Sequence, residues 1–188
     1  FALIWNQDQL YGLNASGPAP KAISAELLRK EGYQKIPIFG WIPVTVAGAP
    51  AAWIELSRKF GCLPFPKVLS PAIEYAQHGF PVSSLVSSLW KKAYQIYSNC
   101  GKDEEVFQYW LKTFAPGNHT PEPGEMWRLP EQAETLQKIA DSEAESFYRG
   151  EIAEKIDAFS QKYNGYLRKE DLAFFVPEWV NPVSIGYR

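Results

Sequence analysis

Histidine and cysteine are scarce in this sequence. His78 and His119 are the two histidines, and Cys62 and Cys100 are the two thiols, in 188 residues. Neither histidine is spaced with a cysteine, a second histidine or a carboxylate in a metal-ligand pattern, so both read as surface side chains. Two cysteines in a chain of this length make no disulfide framework and read as isolated thiols. No apolar run approaches the roughly 20 residues that a membrane-spanning helix needs, so no membrane partner is expected. Charge of one sign is also missing. The 19 basic and 21 acidic residues are interspersed and give a net charge of −2. Without a basic patch interleaved with aromatics, no nucleic-acid partner is expected. A nucleophile elbow, a phosphate loop and a dinucleotide fingerprint are absent as well. Paired acids such as Glu104-Glu105 and Glu143/Glu145 read as solvated helix faces. Composition and spacing alone therefore show no catalytic apparatus.

What the sequence has in quantity is apolar and aromatic surface, 46% and 15% of residues. That is enough for a sizeable core in one helix-rich unit over residues 1–188. Proline and glycine punctuate the helices. Pro20 suits a first turn, with Ile23, Leu27 and Leu28 on one face and Gly32 as the stop. "PAAWIELSRKFG" repeats that grammar from Pro50 to Gly61. "FPKVLSPAIEYAQHG" aligns Leu69, Ile73 and Ala76 and closes at Gly79, with Pro71 expected near its start or at a kink. In "VSSLVSSLWKKAYQIY", Leu85, Leu89, Ala93 and Ile96 fall at helical spacing and read as a core face. Asp103 can cap "EEVFQYWLKTF". After the loop "APGNHTPEPGE" come two amphipathic helices, "LPEQAETLQKIADS" and "RGEIAEKIDAFSQKY", and a short helix in "RKEDLAFF". Phe147 and Ile156 are expected core anchors, with a tight turn at Gly150.

Both ends read as strands. "FALIWN" alternates Phe1, Leu3 and Trp5 with Ala2, Ile4 and Asn6, and Gln7-Asp8-Gln9 can turn the chain back. "VNPVSIGYR" also reads as extended. Short strands need sheet partners, so the end strands, about 1–14 and 179–188, are expected to pair with segments outside this chain. Following the first strand pair, "NASGPAP" places small residues between a strand and a helix, where backbone can approach a small ligand closely.

Three segments resemble the large-subunit region of γ-glutamyltransferases (γ-glutamyltranspeptidases). They are "GLNASGPAPKA", "VTVAGAPAAWIELSRKFGCLPFPKVLSPAIEYAQHGFPV" and "LPEQAETLQKIADSEAESFYRGEIAEKIDAFSQKYNGYLRKEDLAFFVPEW". Their order and spacing match the family, and the likeness is weakest over residues 95–125. The resemblance implies an α+β fold: the large-subunit part of an N-terminal-nucleophile hydrolase α-β-β-α sandwich, this piece mostly helical. It implies a precursor that cleaves itself, and a small subunit whose N-terminal threonine attacks γ-glutamyl or related acyl amides, its own amine acting as base. No metal or organic cofactor is implied. The expected partners are that small subunit and a small-molecule amide.

Thr45, Thr113, Thr120 and Thr135 are the threonines here, and none is followed by the family's second threonine and histidine. No catalytic residue is therefore expected in this chain, and the chain alone should be inactive. The resemblance puts the substrate-binding loop at Asn14, Ala15 and Ser16. Where the transferases carry an arginine that holds the substrate α-carboxylate, this sequence has Ala15. The Asn-x-Ser-Gly form of the loop is similar to the cephalosporin (glutaryl-amide) acylase branch, so γ-glutamyl specificity is not implied. The competing expectation is a helical interaction or scaffold domain with no catalytic role.

Overall fold

The computed structural model describes residues 1–100 and 105–187. In chain order its elements are β1 (Ala2–Asn6), β2 (Gln9–Asn14), α1 (Ala25–Lys30), α2 (Ala49–Phe60), α3 (Phe65–His78), β3 (Phe80–Pro81), α4 (Ser84–Tyr97), α5 (Glu105–Phe114), β4 (Met126–Trp127), α6 (Pro130–Asp141), α7 (Glu145–Tyr148), α8 (Glu151–Lys162), α9 (Lys169–Ala173) and β5 (Glu178–Val180).

β1 and β2 form a hairpin in which Trp5 faces Leu10 and Leu3 faces Gly12. Gln7 and Asp8 at the turn take φ values of 49° and 60°, the two left-handed positions of a hairpin turn whose twist matches the strands. β2 then pairs antiparallel with β5, Leu13 opposite Trp179 and Gly12 opposite Val180. The two ends of the chain thus pair with each other. The last strand is shorter than the sequence suggests: it stops at Val180 because Pro182 has no N–H for a ladder. Among the described residues, the outer edges of β1 and β5 carry no strand partner.

Period 2 gives this small sheet two faces. One bears Ala2, Ile4, Tyr11, Leu13 and Trp179 and lies on the end of α2, where Phe60 meets Tyr11 edge-on at 5.1 Å and Trp179 at 5.8 Å. Lys59 Nζ sits 3.9 Å from the Trp179 ring. The other face bears Leu3, Trp5, Leu10 and Val180 and is open, with Leu3 70% and Trp5 67% exposed.

Most of the expectations for the helices hold, with corrections at α1 and α4. α1 starts at Ala25, not Pro20, because the Ser24 hydroxyl accepts the Leu27 N–H at 3.1 Å and fixes the N-terminus there. Pro71 lies inside α3 without ending it. A proline cannot donate to the carbonyl four residues back, and here the Ser70 hydroxyl donates to that carbonyl, Lys67 O, at 3.1 Å. In α4 the inward face is not the aliphatic one. Leu85, Leu89 and Ile96 are exposed, and Ala93 is only half-buried. Ser87 instead donates to Pro121 O, Trp90 Nε1 donates to Phe114 O at 2.7 Å, and Tyr97 stacks on Trp110 at 4.5 Å. The aromatic rings remove more apolar area from water than the leucines would, so they take the packed side. The expected Asp103 cap lies outside the described residues.

The main core gathers Val46, Ile54, Phe65, Ile139, Ala144, Tyr148, Ala153, Leu167, Leu172 and Phe175. Phe147 and Ile156 pack against its rim, half-buried, while Tyr148 takes the central place. Gly150 joins α7 to α8 in an extended conformation. A Cβ there would stand 2.9 Å from Ser146 Cα, so the junction needs glycine for space.

Candidate functional site

The loop that leaves β2 is held by three devices. Asn14 Oδ1 accepts the Ser16 N–H at 2.9 Å, a side-chain turn that reverses the backbone locally. Two glycines then let residues 15–18 and 46–48 lie against each other. A Cβ on Gly17 would stand 1.7 Å from Val46 O, and one on Gly48 would stand 1.9 Å from Ala15 O. The Val46 N–H donates to Pro18 O at 3.1 Å across the same contact. The third device is Asp171 in the first turn of α9. Its Oδ1 accepts the Lys21 N–H at 3.0 Å and its Oδ2 accepts the Arg168 N–H at 2.9 Å. That carboxylate is 8% exposed, and the two backbone donors offset the cost of burying it.

Between this loop, α9 and the start of β5 lies a cleft of about 340 Å³ whose polar lining is Asn14, Ser16, Lys21, Asp171 and Glu178. Pro18, Ala19 and Phe174 to Val176 supply its apolar walls. Asn14 and Ser16 are thus brought together in one cavity. Ala15 is not part of that lining: it is half-buried and packs toward the main core. Lys21, Asp171 and Glu178 join the site without having been picked out in the sequence. Lys21 Nζ lies 4.1 Å from the centre of the Phe174 ring. Among the described residues, no carboxylate is within ion-pair distance of it.

Chemically, the cleft offers an amide, a hydroxyl and an ammonium as donors. Among the described residues, no three His, Cys, Asp or Glu side chains are grouped to hold a metal ion, and no helix is long and apolar enough to cross a membrane. His119 is engaged outside the cleft, with Nε2 2.9 Å from Glu125 Oε1. The Glu125 carboxyl is held below the usual carboxylate range by the Glu122 N–H first and by His119 second. Cys62 and Cys100 are both free.

The sequence matches the family description "Gamma-glutamyltranspeptidase" over residues 1–188. It is 30% identical over 176 residues to a glutathione hydrolase-like proenzyme of Bacillus subtilis, a match spanning 93% of this chain and 32% of that protein. The fold superposes on the crystal structure of cephalosporin acylase from Bacillus halodurans with a TM-score of 0.94 and 49% identity, covering 99% of this chain and 35% of that one. On Helicobacter pylori gamma-glutamyltranspeptidase the TM-score is 0.85 at 27% identity, covering 100% of this chain and 53% of that one. The chain spans about a third of the length of the curated relatives it matches. The fold class is α+β, the helix-rich large-subunit part of an N-terminal-nucleophile hydrolase. Within that class, the chain belongs to the gamma-glutamyltranspeptidase family.

Proposed function

We propose that this chain is the substrate-holding, non-catalytic part of a self-processing amidohydrolase or acyltransferase. Its substrates are γ-glutamyl or related acyl amides, glutaryl-type amides included. The observation that carries this reading is the cleft itself. Asn14 and Ser16, in the loop that the family resemblance marks for substrate contact, line a cavity rich in donors. On this reading the chain supplies the binding half of an acyl-transfer site. The other half is an N-terminal threonine on a small subunit, which attacks the amide carbonyl and passes the acyl group to water or an amine. Names among the relatives support the reaction class: glutathione hydrolase, oxamate amidohydrolase and cephalosporin acylase. A scaffold with no catalytic role is disfavoured, because the likeness covers the whole chain and the relatives named are amide-cleaving enzymes.

The test is hydrolysis of γ-glutamyl, glutaryl and butyryl p-nitroanilides by the whole precursor. The reading predicts nitroaniline release from at least one of them and none after replacement of the small-subunit threonine by alanine. No release from any of the three by the unmodified protein would overturn it.

A further inference from the structure

Lys21 is an unusual neighbour for a loop of neutral donors. Its backbone is fixed, since its N–H is bonded to the buried Asp171 carboxylate. Its side chain runs into the cleft, and its ammonium rests 4.1 Å from the Phe174 ring centre. An ammonium over an aromatic face is oriented at little electrostatic gain. Like most of the described lysines it has no ion-pair partner among the described residues; what sets it apart is that its ammonium lies in the cleft. Asn14 adds a second free donor to the same cavity: its Oδ1 is occupied by the Ser16 N–H, so its amide N–H groups are left for a ligand. Asp171 and Glu178 make the rest of the polar lining negative. An anion therefore settles only where a cation offsets them, and that place is Lys21.

We propose that Lys21 is the specificity-determining residue for a carboxylate at the far end of the acyl group, with the Asn14 amide as its neutral partner. The favoured donors are amides of dicarboxylic acids, glutaryl or γ-glutamyl, over amides of the same length that end in methyl. This deepens the acyl-amide reading above and rests on it. On this reading the charge that alanine at position 15 lacks is supplied six residues further on, by Lys21.

The experiment uses the whole processed protein in three forms: unchanged, Lys21→Met and Lys21→Arg. Methionine keeps the stem without the charge, and the backbone bond to Asp171 is unaffected by either change. Loss of a hydrogen bond to a charged group predicts that kcat/KM for glutaryl p-nitroanilide falls roughly tenfold or more in Lys21→Met, mainly through KM. Butyryl p-nitroanilide should lose much less than the glutaryl compound, and Lys21→Arg should restore most of the glutaryl loss. Calorimetry with free glutarate supplies a second readout that needs no turnover: binding to the unchanged protein, none to Lys21→Met, and none of butyrate to either. An unchanged glutaryl-to-butyryl ratio, or an equal loss on both anilides, would overturn the role of Lys21 while the acyl-amide reading stands. If no anilide is cleaved, that reading fails, and glutarate binding alone then decides whether Lys21 reads a carboxylate.

Discussion

Tyr148 joins the core to the loop that frames the cleft. It is 3% exposed, yet its hydroxyl is fully used, donating to Ala47 O at 2.7 Å and accepting the Ala51 N–H at 3.1 Å. Replacing it by phenylalanine leaves a donor and an acceptor unpaired at small cost in packing. The expected loss is about 1–3 kcal/mol in urea denaturation. Burial also pushes the phenol up to about 12 from its ordinary 10.0. A raised pKa stabilises the fold through the neutral form, so this contribution is complete below about pH 10 and is lost as pH rises toward 12. Stability should therefore fall over that window, and Tyr148→Phe should flatten the fall. At Gly48 the constraint is space. An alanine Cβ would stand 1.9 Å from Ala15 O, so Gly48→Ala must push the loop from its seat. A cost of about 1–3 kcal/mol is expected, together with weaker binding of acyl donors, measured as a rise in KM.

At the scale of elements, α4 makes the sharpest prediction. Its aromatic face is packed and its aliphatic stripe is open. Trp90→Ala should cost about 3 kcal/mol, and Leu85→Gln should stay within about 0.5 kcal/mol in the same denaturation experiment. The sequence shows that α4 exists but misplaces its buried side, because leucines at helical spacing look like a core until larger rings compete for the same place. Helices α2, α3, α6, α8 and α9 were legible from proline starts, glycine stops and a clear period. The start of α1 was not, because a serine cap outweighs a proline four residues earlier. The ladder of β3 and β4 is two residues long on each side, too short to show alternation. The small-residue loop after β2 stands out in the sequence, but the Asp171 carboxylate that holds Lys21 lies 150 residues away along the chain. No local pattern reveals a contact at that separation, and Lys21 becomes informative only when Asp171 and Phe174 are seen beside it.

For the whole molecule, the open face of the β1–β2–β5 sheet matters most. Leu3, Trp5, Leu10 and Val180 form one apolar surface there, and among the described residues β1 and β5 present free edges. We propose that further strands of the complete protein cover both, as the sandwich architecture requires. Residues 1–188 produced alone should then associate and bind a hydrophobic dye. A monodisperse sample with a cooperative melt and no dye binding would count against this.

The central claim is that the chain works as the binding part of a self-processing threonine amidohydrolase. Intact-mass measurement of the natural protein under denaturing conditions tests it most directly, because self-cleavage leaves a covalent record that does not depend on guessing the substrate. The account predicts two unequal chains whose masses sum to that of the precursor plus the one water that peptide-bond hydrolysis adds, the one holding residues 1–188 ahead of a shorter one that begins with threonine. A single uncleaved chain from protein purified in active form would contradict it.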